Sequence, residues 1–318
     1  MDSVLNQLQF SLSITGPICL MLVLGVVFKR VGLIDNNFID VGSKLVFKVT
    51  LPAMLFISIV SSEHDFASAS NFVNYGIIAS ISFFIFTYIS VKLLFPTSPD
   101  QGVLVQGGYR ANTGIIGLAY VSSAYGPSGV ALAALYVAVT TFIYNVQAVI
   151  CLSPKGATSV SEAAKLMFRT LTKNPLIISI VLGMLFYILS IPVPKIAIDA
   201  GNYLSKMTLP LALLCTGGSL NLRLMRQEKG PSWFASSYKL LVAPAVITLG
   251  AYLVGFRGVE LGILFFMNAS PVAAASYVMA RSMGANSVLA ANIIAMTTVL
   301  STLTCTLGII MLNSLDLI

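Results

Sequence analysis

Two short stretches gather polar groups inside apolar surroundings: Arg110, Asn112, Thr113 and Gly114 in RANTG, and Asn268, Ser270 and Pro271 in MNASP. A guanidinium, two carboxamides, two hydroxyls and freed backbone amides are hydrogen-bond donors, and donors of this kind hold an anion. Pro271 adds to the supply of unpaired backbone, because it lacks an N–H and releases a carbonyl about four residues back, near Met267. Helix N-termini at two such interruptions favour negative charge through their free amides and dipole. Nothing here points to bond-making chemistry. HExxH, GxSxG and a GxGD-type aspartate pair are all absent, and the single histidine, His64, falls in a loop, so the chain is not expected to be an enzyme.

The elements that must position these groups are membrane helices. Of 318 residues 57% are hydrophobic and 9% charged, and the mean hydropathy is +0.92, outside the range of soluble domains. Ten apolar runs are each long enough for a hydrocarbon core of roughly 30 Å: 8–28, 39–60, 72–95, 102–124, 127–152, 175–190, 196–220, 232–254, 258–281 and 287–313. They are continuous rather than alternating, which favours helices over a barrel. The first run begins acidic and leads straight into further spans, unlike a signal peptide.

Lys29, Arg30, Lys92, Lys155, Lys165, Arg169, Lys173, Arg223, Arg226, Lys229, Lys239 and Arg281 are assigned to one side of the membrane. Glu63, His64 and Asp65, Lys195 with Asp199, and Arg257 with Glu260 lie opposite. The basic side is read as cytoplasmic and both termini as outside, which accounts for the net charge of +7 through topology and contact with anionic lipid, not nucleic acid. Cys19, Cys151, Cys215 and Cys305 show no pair spacing and are read as buried hydrophobes, with no metal or cofactor implied.

An internal repeat organises the spans. GPICLMLVLGVVF matches NPLIISIVLGMLF and VFKVTLPAMLF matches LSKMTLPLALL, pairing Pro17 with Pro175, Gly25 with Gly183, Lys48 with Lys206 and Pro52 with Pro210, always 158 residues apart. The same offset sets Gly126 against Gly284 and Thr113 against Pro271. Five spans per repeat is an odd number, so the second copy must enter the membrane from the opposite side, and inverted repeats are a transporter architecture. Residues 1–152 form the first repeat, 153–174 a basic cytoplasmic linker and 175–318 the second repeat.

In such carriers the site lies where discontinuous helices cross near the midplane. The fourth and ninth spans hold RANTG and MNASP at equivalent positions, which makes Arg110, Asn112, Thr113, Gly114, Asn268, Ser270 and Pro271 the binding candidates. All eleven acidic residues fall in loops or at span ends, so a cationic cargo or a buried-acid proton path is not expected. Lys48 and Lys206, four residues before the mirrored Pro52 and Pro210, are scaffold candidates that snorkel or cap kinked helices. Thr140, Tyr144, Asn145 and Gln147 on the fifth span, with Thr298 and Ser301 on the tenth, would support the cavity by inter-helix hydrogen bonds.

In TLPAMLF, ANTGIIGL followed by YG, KNP, TGGSL and NASPVAAASYVMARSMG, taken in order over nearly the whole chain, the sequence resembles the auxin efflux carrier family, which holds plant PIN-type carriers and bacterial malonate and malate carriers. The resemblance implies ten transmembrane helices in two inverted five-helix repeats, similar to bile acid sodium symporters. Spans one, two, six and seven would form a scaffold, usually dimeric, and the remaining spans a mobile transport domain. It implies that Asn112 is the carboxylate-contacting asparagine and Pro271 the ninth-span proline. Ala119 stands where the fourth-span proline is expected, and the long central loop of the plant carriers is missing. The acidic sodium ligand of the bile acid symporters has no counterpart.

The combined expectation is an all-α carrier in the bacterial cytoplasmic membrane that moves a small organic anion, a mono- or dicarboxylate or an auxin-like acid, by elevator-type alternating access as a homodimer. The alternative is a ligand-binding sensor built on a carrier fold.

Overall fold

A computed structural model describes residues 2–62, 69–152, 174–220 and 230–318, with side chains from residue 8 onward. The Glu63, His64 and Asp65 loop, residues 153–173 of the expected linker, and Arg223, Arg226 and Lys229 lie outside the described residues. The described chain is helical, with one isolated β-bridge.

The helices are α1 (Asp2–Arg30), α2 (Asn36–Val60), α3 (Ser70–Leu94), α4 (Gln101–Tyr109), α5 (Thr113–Leu152), α6 (Pro175–Ile188), α7 (Lys195–Ser219), α8 (Gly230–Val254), α9 (Gly258–Ala269), α10 (Ala275–Ser282) and α11 (Ser287–Ser314). Among the described residues six are long and apolar enough to cross a bilayer: α1 from Leu8, α2, α3, α5, α8 and α11; α6 and α9 are apolar but shorter. The protein is therefore an integral membrane protein. The expected 196–220 span corresponds to α7, which carries Lys195, Asp199 and Lys206 and falls short of that measure. The expected fourth and ninth spans are not single helices: α4 stops at Tyr109, and α9 stops at Ala269.

Local sequence sets the helix ends. Asp35 accepts the Phe38 amide at 2.7 Å to start α2, Asn174 accepts that of Leu176 at 3.0 Å before Pro175, and Asn286 accepts that of Leu289 at 3.0 Å to start α11. Inside α5, Gly126 takes φ 61° and ψ −156°, a conformation open essentially only to glycine. The expected fourth and fifth spans are thus joined by one residue, with Pro127 opening the second arm.

Lipid supplies no hydrophobic drive between helices, so close approach at small residues holds them together. A Cβ on Gly25 of α1 would lie 2.9 Å from the Gly218 nitrogen of α7, and one on Gly183 of α6 would lie 3.2 Å from Ile59 of α2. Gly25 and Gly183 are 158 residues apart, and so are Ile59 and Gly217, which also faces Gly25. The same spacing separates the left-handed pairs Gly32 and Ser190, and Gly126 and Gly284.

Candidate functional site

The two interruptions lie against each other. After α4, Arg110 is extended (ψ 106°) and Asn112 takes φ −84° and ψ 64°. The helix resumes as a π-turn over Thr113–Gly117, closed by the Gly117 amide on the Asn112 carbonyl at 2.9 Å. After α9, Ser270 is extended (ψ 149°) and α10 begins only at Ala275, so the second break is longer than the first and centred slightly past the expected position. Where the extended segments pass, Ala111 bridges Val272 in antiparallel sense. The Asn112 amide donates to the Pro271 carbonyl at 2.7 Å and the Ala273 amide to the Arg110 carbonyl at 3.4 Å.

Buried backbone must find partners, and several groups at the second break do so through side chains. The carbonyl that Pro271 releases is that of Met267, and the Ser270 hydroxyl donates to it at 2.8 Å. The Asn268 carbonyl accepts the Lys239 ammonium at 2.6 Å. The Val272 amide donates to the Thr297 hydroxyl at 3.1 Å, and Thr297 in turn donates to the Ile293 carbonyl at 2.7 Å. The Asn268 carboxamide donates to the Tyr136 hydroxyl at 3.1 Å and the Leu264 carbonyl at 2.8 Å. Asn268 and Ser270 are thus committed to holding the break, at 2% and 0% exposure.

The first break differs. Asn112 and Thr113 are buried to 8% and 4% exposure, yet their side chains make no hydrogen bond among the described residues. A Cβ on Gly114 would meet open space. Beside them Arg110, 6% exposed, sends Nη1 to the Tyr144 carbonyl at 3.2 Å and the Met279 sulfur at 3.1 Å, and Nη2 to Asn145 Oδ1 at 2.9 Å. Its Nε has no partner, and no carboxylate among the described residues pairs with the guanidinium. The arrangement is a buried cation next to an unpartnered carboxamide and hydroxyl, with open space at Gly114.

A sequence profile described as membrane transport protein matches residues 15–309. The chain belongs to this family. The auxin efflux carrier resemblance holds at that level. The chain is similar to an uncharacterized transporter of Methanothermobacter thermautotrophicus, 23% identical over 287 residues that cover 89% of this chain and 92% of the relative. It is also similar to one of Methanocaldococcus jannaschii, 24% identical over 311 residues that cover 93% and 97%.

Within this membrane transport protein the remaining candidates divide. Tyr144 and Asn145 converge on Arg110. Gln147 donates to the Ser80 carbonyl at 3.1 Å. Thr140, Thr298 and Ser301 turn back to their own helices, on the carbonyls of Tyr136, Ile294 and Thr298 at 2.7, 2.7 and 3.1 Å. Lys48 and Lys206 are both exposed and do not reach the crossing. Pro52 opens the last helical segment of α2 behind a π-turn. Lys206 and Pro210 line a separate cavity of about 410 Å³ with Ser58, Ser61, Ser122 and Asn202.

Three further partners lie at the crossing. The sequence reading counts Lys239 among the basic residues of the cytoplasmic side; the structure corrects this, because it is fully buried in α8 with its ammonium on the broken helix. The sequence carries a signal for its burial, since a charge inside the 232–254 apolar run is by default an interior group. Thr297, not its neighbour Thr298, meets the break, and Tyr136 holds Asn268.

Proposed function

We propose that the protein is a carrier for a small organic anion, a mono- or dicarboxylate, bound at the first break by Asn112, Thr113 and the amides opening at Gly114, with Arg110 offsetting its charge. The observation that carries this reading is the buried guanidinium without a carboxylate, beside polar side chains that have no partner. A buried ion lacking its counter-charge costs several kcal/mol, and an anionic guest offsets that cost. The turn beginning at Thr113 adds backbone donors and the positive end of a dipole.

Contacts and left-handed residues that recur at 158-residue spacing support two five-span repeats inserted in opposite senses. On this reading α1, α2, α6 and α7 form the dimeric scaffold and the crossing moves against it as an elevator. Both termini face outward across the cytoplasmic membrane, and the Lys206 cavity is an outer vestibule.

The test is uptake of labelled mono- and dicarboxylates into proteoliposomes. Asn112→Ala is expected to abolish uptake while the thermal midpoint stays within about 2 °C of the parent, because no hydrogen bond is lost. Undiminished uptake by a folded Asn112→Ala protein would refute the assignment.

A further inference from the structure

Lys239 is 0% exposed, and its Nζ lies 2.6 Å from the Asn268 carbonyl. In an unbroken helix that carbonyl would accept the Val272 amide, but Val272 donates to Thr297 instead. The C-terminal end of α9 is therefore an unwound helix end with an orphan carbonyl, carrying a partial negative charge equivalent to about half an elementary unit. Ends of this kind, in carriers built from broken helices, coordinate free monovalent cations. Here an ammonium from the same chain already occupies the end.

Two further observations bear on this. No carboxylate among the described residues pairs with Lys239, so the carbonyl end is its counter-charge. Ser236 and Ser232, one and two turns earlier on α8, are 1% and 0% exposed, and neither hydroxyl has a partner among the described residues. At i, i+4 and i+7 these three polar groups share one buried face of α8. Ordinary snorkelling is excluded by the complete burial of the ammonium.

We propose that Lys239 is a tethered cation, filling the position at the α9 end where a free monovalent metal ion would otherwise bind, so that the crossing is set without sodium or potassium. Removing the ammonium leaves the Asn268 carbonyl and vacated volume that water and a small cation can share. The inference does not depend on which anion crosses.

The test is thermal unfolding of the purified full chain in detergent, with sodium, potassium or N-methyl-D-glucamine chloride at equal ionic strength. The parent protein and Lys239→Arg are expected to unfold at the same temperature in all three salts. Lys239→Met should fall by roughly 5 °C or more in N-methyl-D-glucamine, and sodium should restore part of that loss with a saturating dose dependence. A parent protein stabilised by sodium or potassium overturns the proposal. So does a Lys239→Met protein that loses nothing, or whose loss neither metal ion recovers. If Lys239→Met yields no protein, the parent comparison decides. Because the readout is stability, not uptake, the outcome is independent of the Asn112→Ala experiment.

Discussion

The break at residues 110–112 and the break at residues 270–274 face each other, yet they handle their loose ends in opposite ways. At the second, Met267 finds a partner in Ser270, Asn268 in Lys239 and Tyr136, and Val272 in Thr297. At the first, the Asn112 carboxamide, the Thr113 hydroxyl and Arg110 Nε are left without one. One break is therefore a fixed wall and the other an incomplete shell. Polar residues in a membrane helix do not by themselves mark a binding site; on the proposed reading the unmade hydrogen bonds beside the unpaired Arg110 guanidinium do.

Substitutions on the two sides should separate along that line. The largest effect is expected for Asn112→Ala, about 100-fold or more in uptake rate, equivalent to about 3 kcal/mol of binding or transition-state energy, with no stability cost. Next is Arg110→Lys, which keeps the charge but loses the fork that reaches both the Tyr144 carbonyl and Asn145; uptake should fall by about tenfold, measured in the same vesicles. On the closed side the order reverses, with stability losing more than transport. Thr297→Val strands the Val272 amide and should lower stability by about 0.6–1.7 kcal/mol in thermal or denaturant unfolding, the range from average to maximum for interhelical bonds in membrane proteins. Ser270→Ala should cost least, about 0.5 kcal/mol, because a carbonyl tolerates a missing partner better than an amide does. If Ser270→Ala or Thr297→Val removed uptake while leaving unfolding untouched, the distinction between wall and shell would be wrong.

Much of the outline was legible in the residues. Pro271 announced the Met267 carbonyl, and Gly126 and Gly284, paired by the repeat, both take left-handed backbone. The partners across helices were not legible, for a physical reason. A helix apolar on nearly every side has no preferred face, so the pattern does not say whether Thr297 or Thr298 turns inward, or that Lys239 points to the crossing and not to the membrane edge. Those choices are made by packing against neighbours. The sequence likewise marked Asn112 and Asn268 as alike, and only their surroundings show one occupied and the other spare.

The join between the breaks, with the Asn112 amide on the Pro271 carbonyl and the Ala273 amide on the Arg110 carbonyl, is made wholly of main chain. Side chains there can drift over evolutionary time without cutting it, and only a new proline at 112 or 273 would strip a donor. A seam written in peptide groups is the kind of inheritance that relatives sharing a quarter of their residues or fewer can still hold in common.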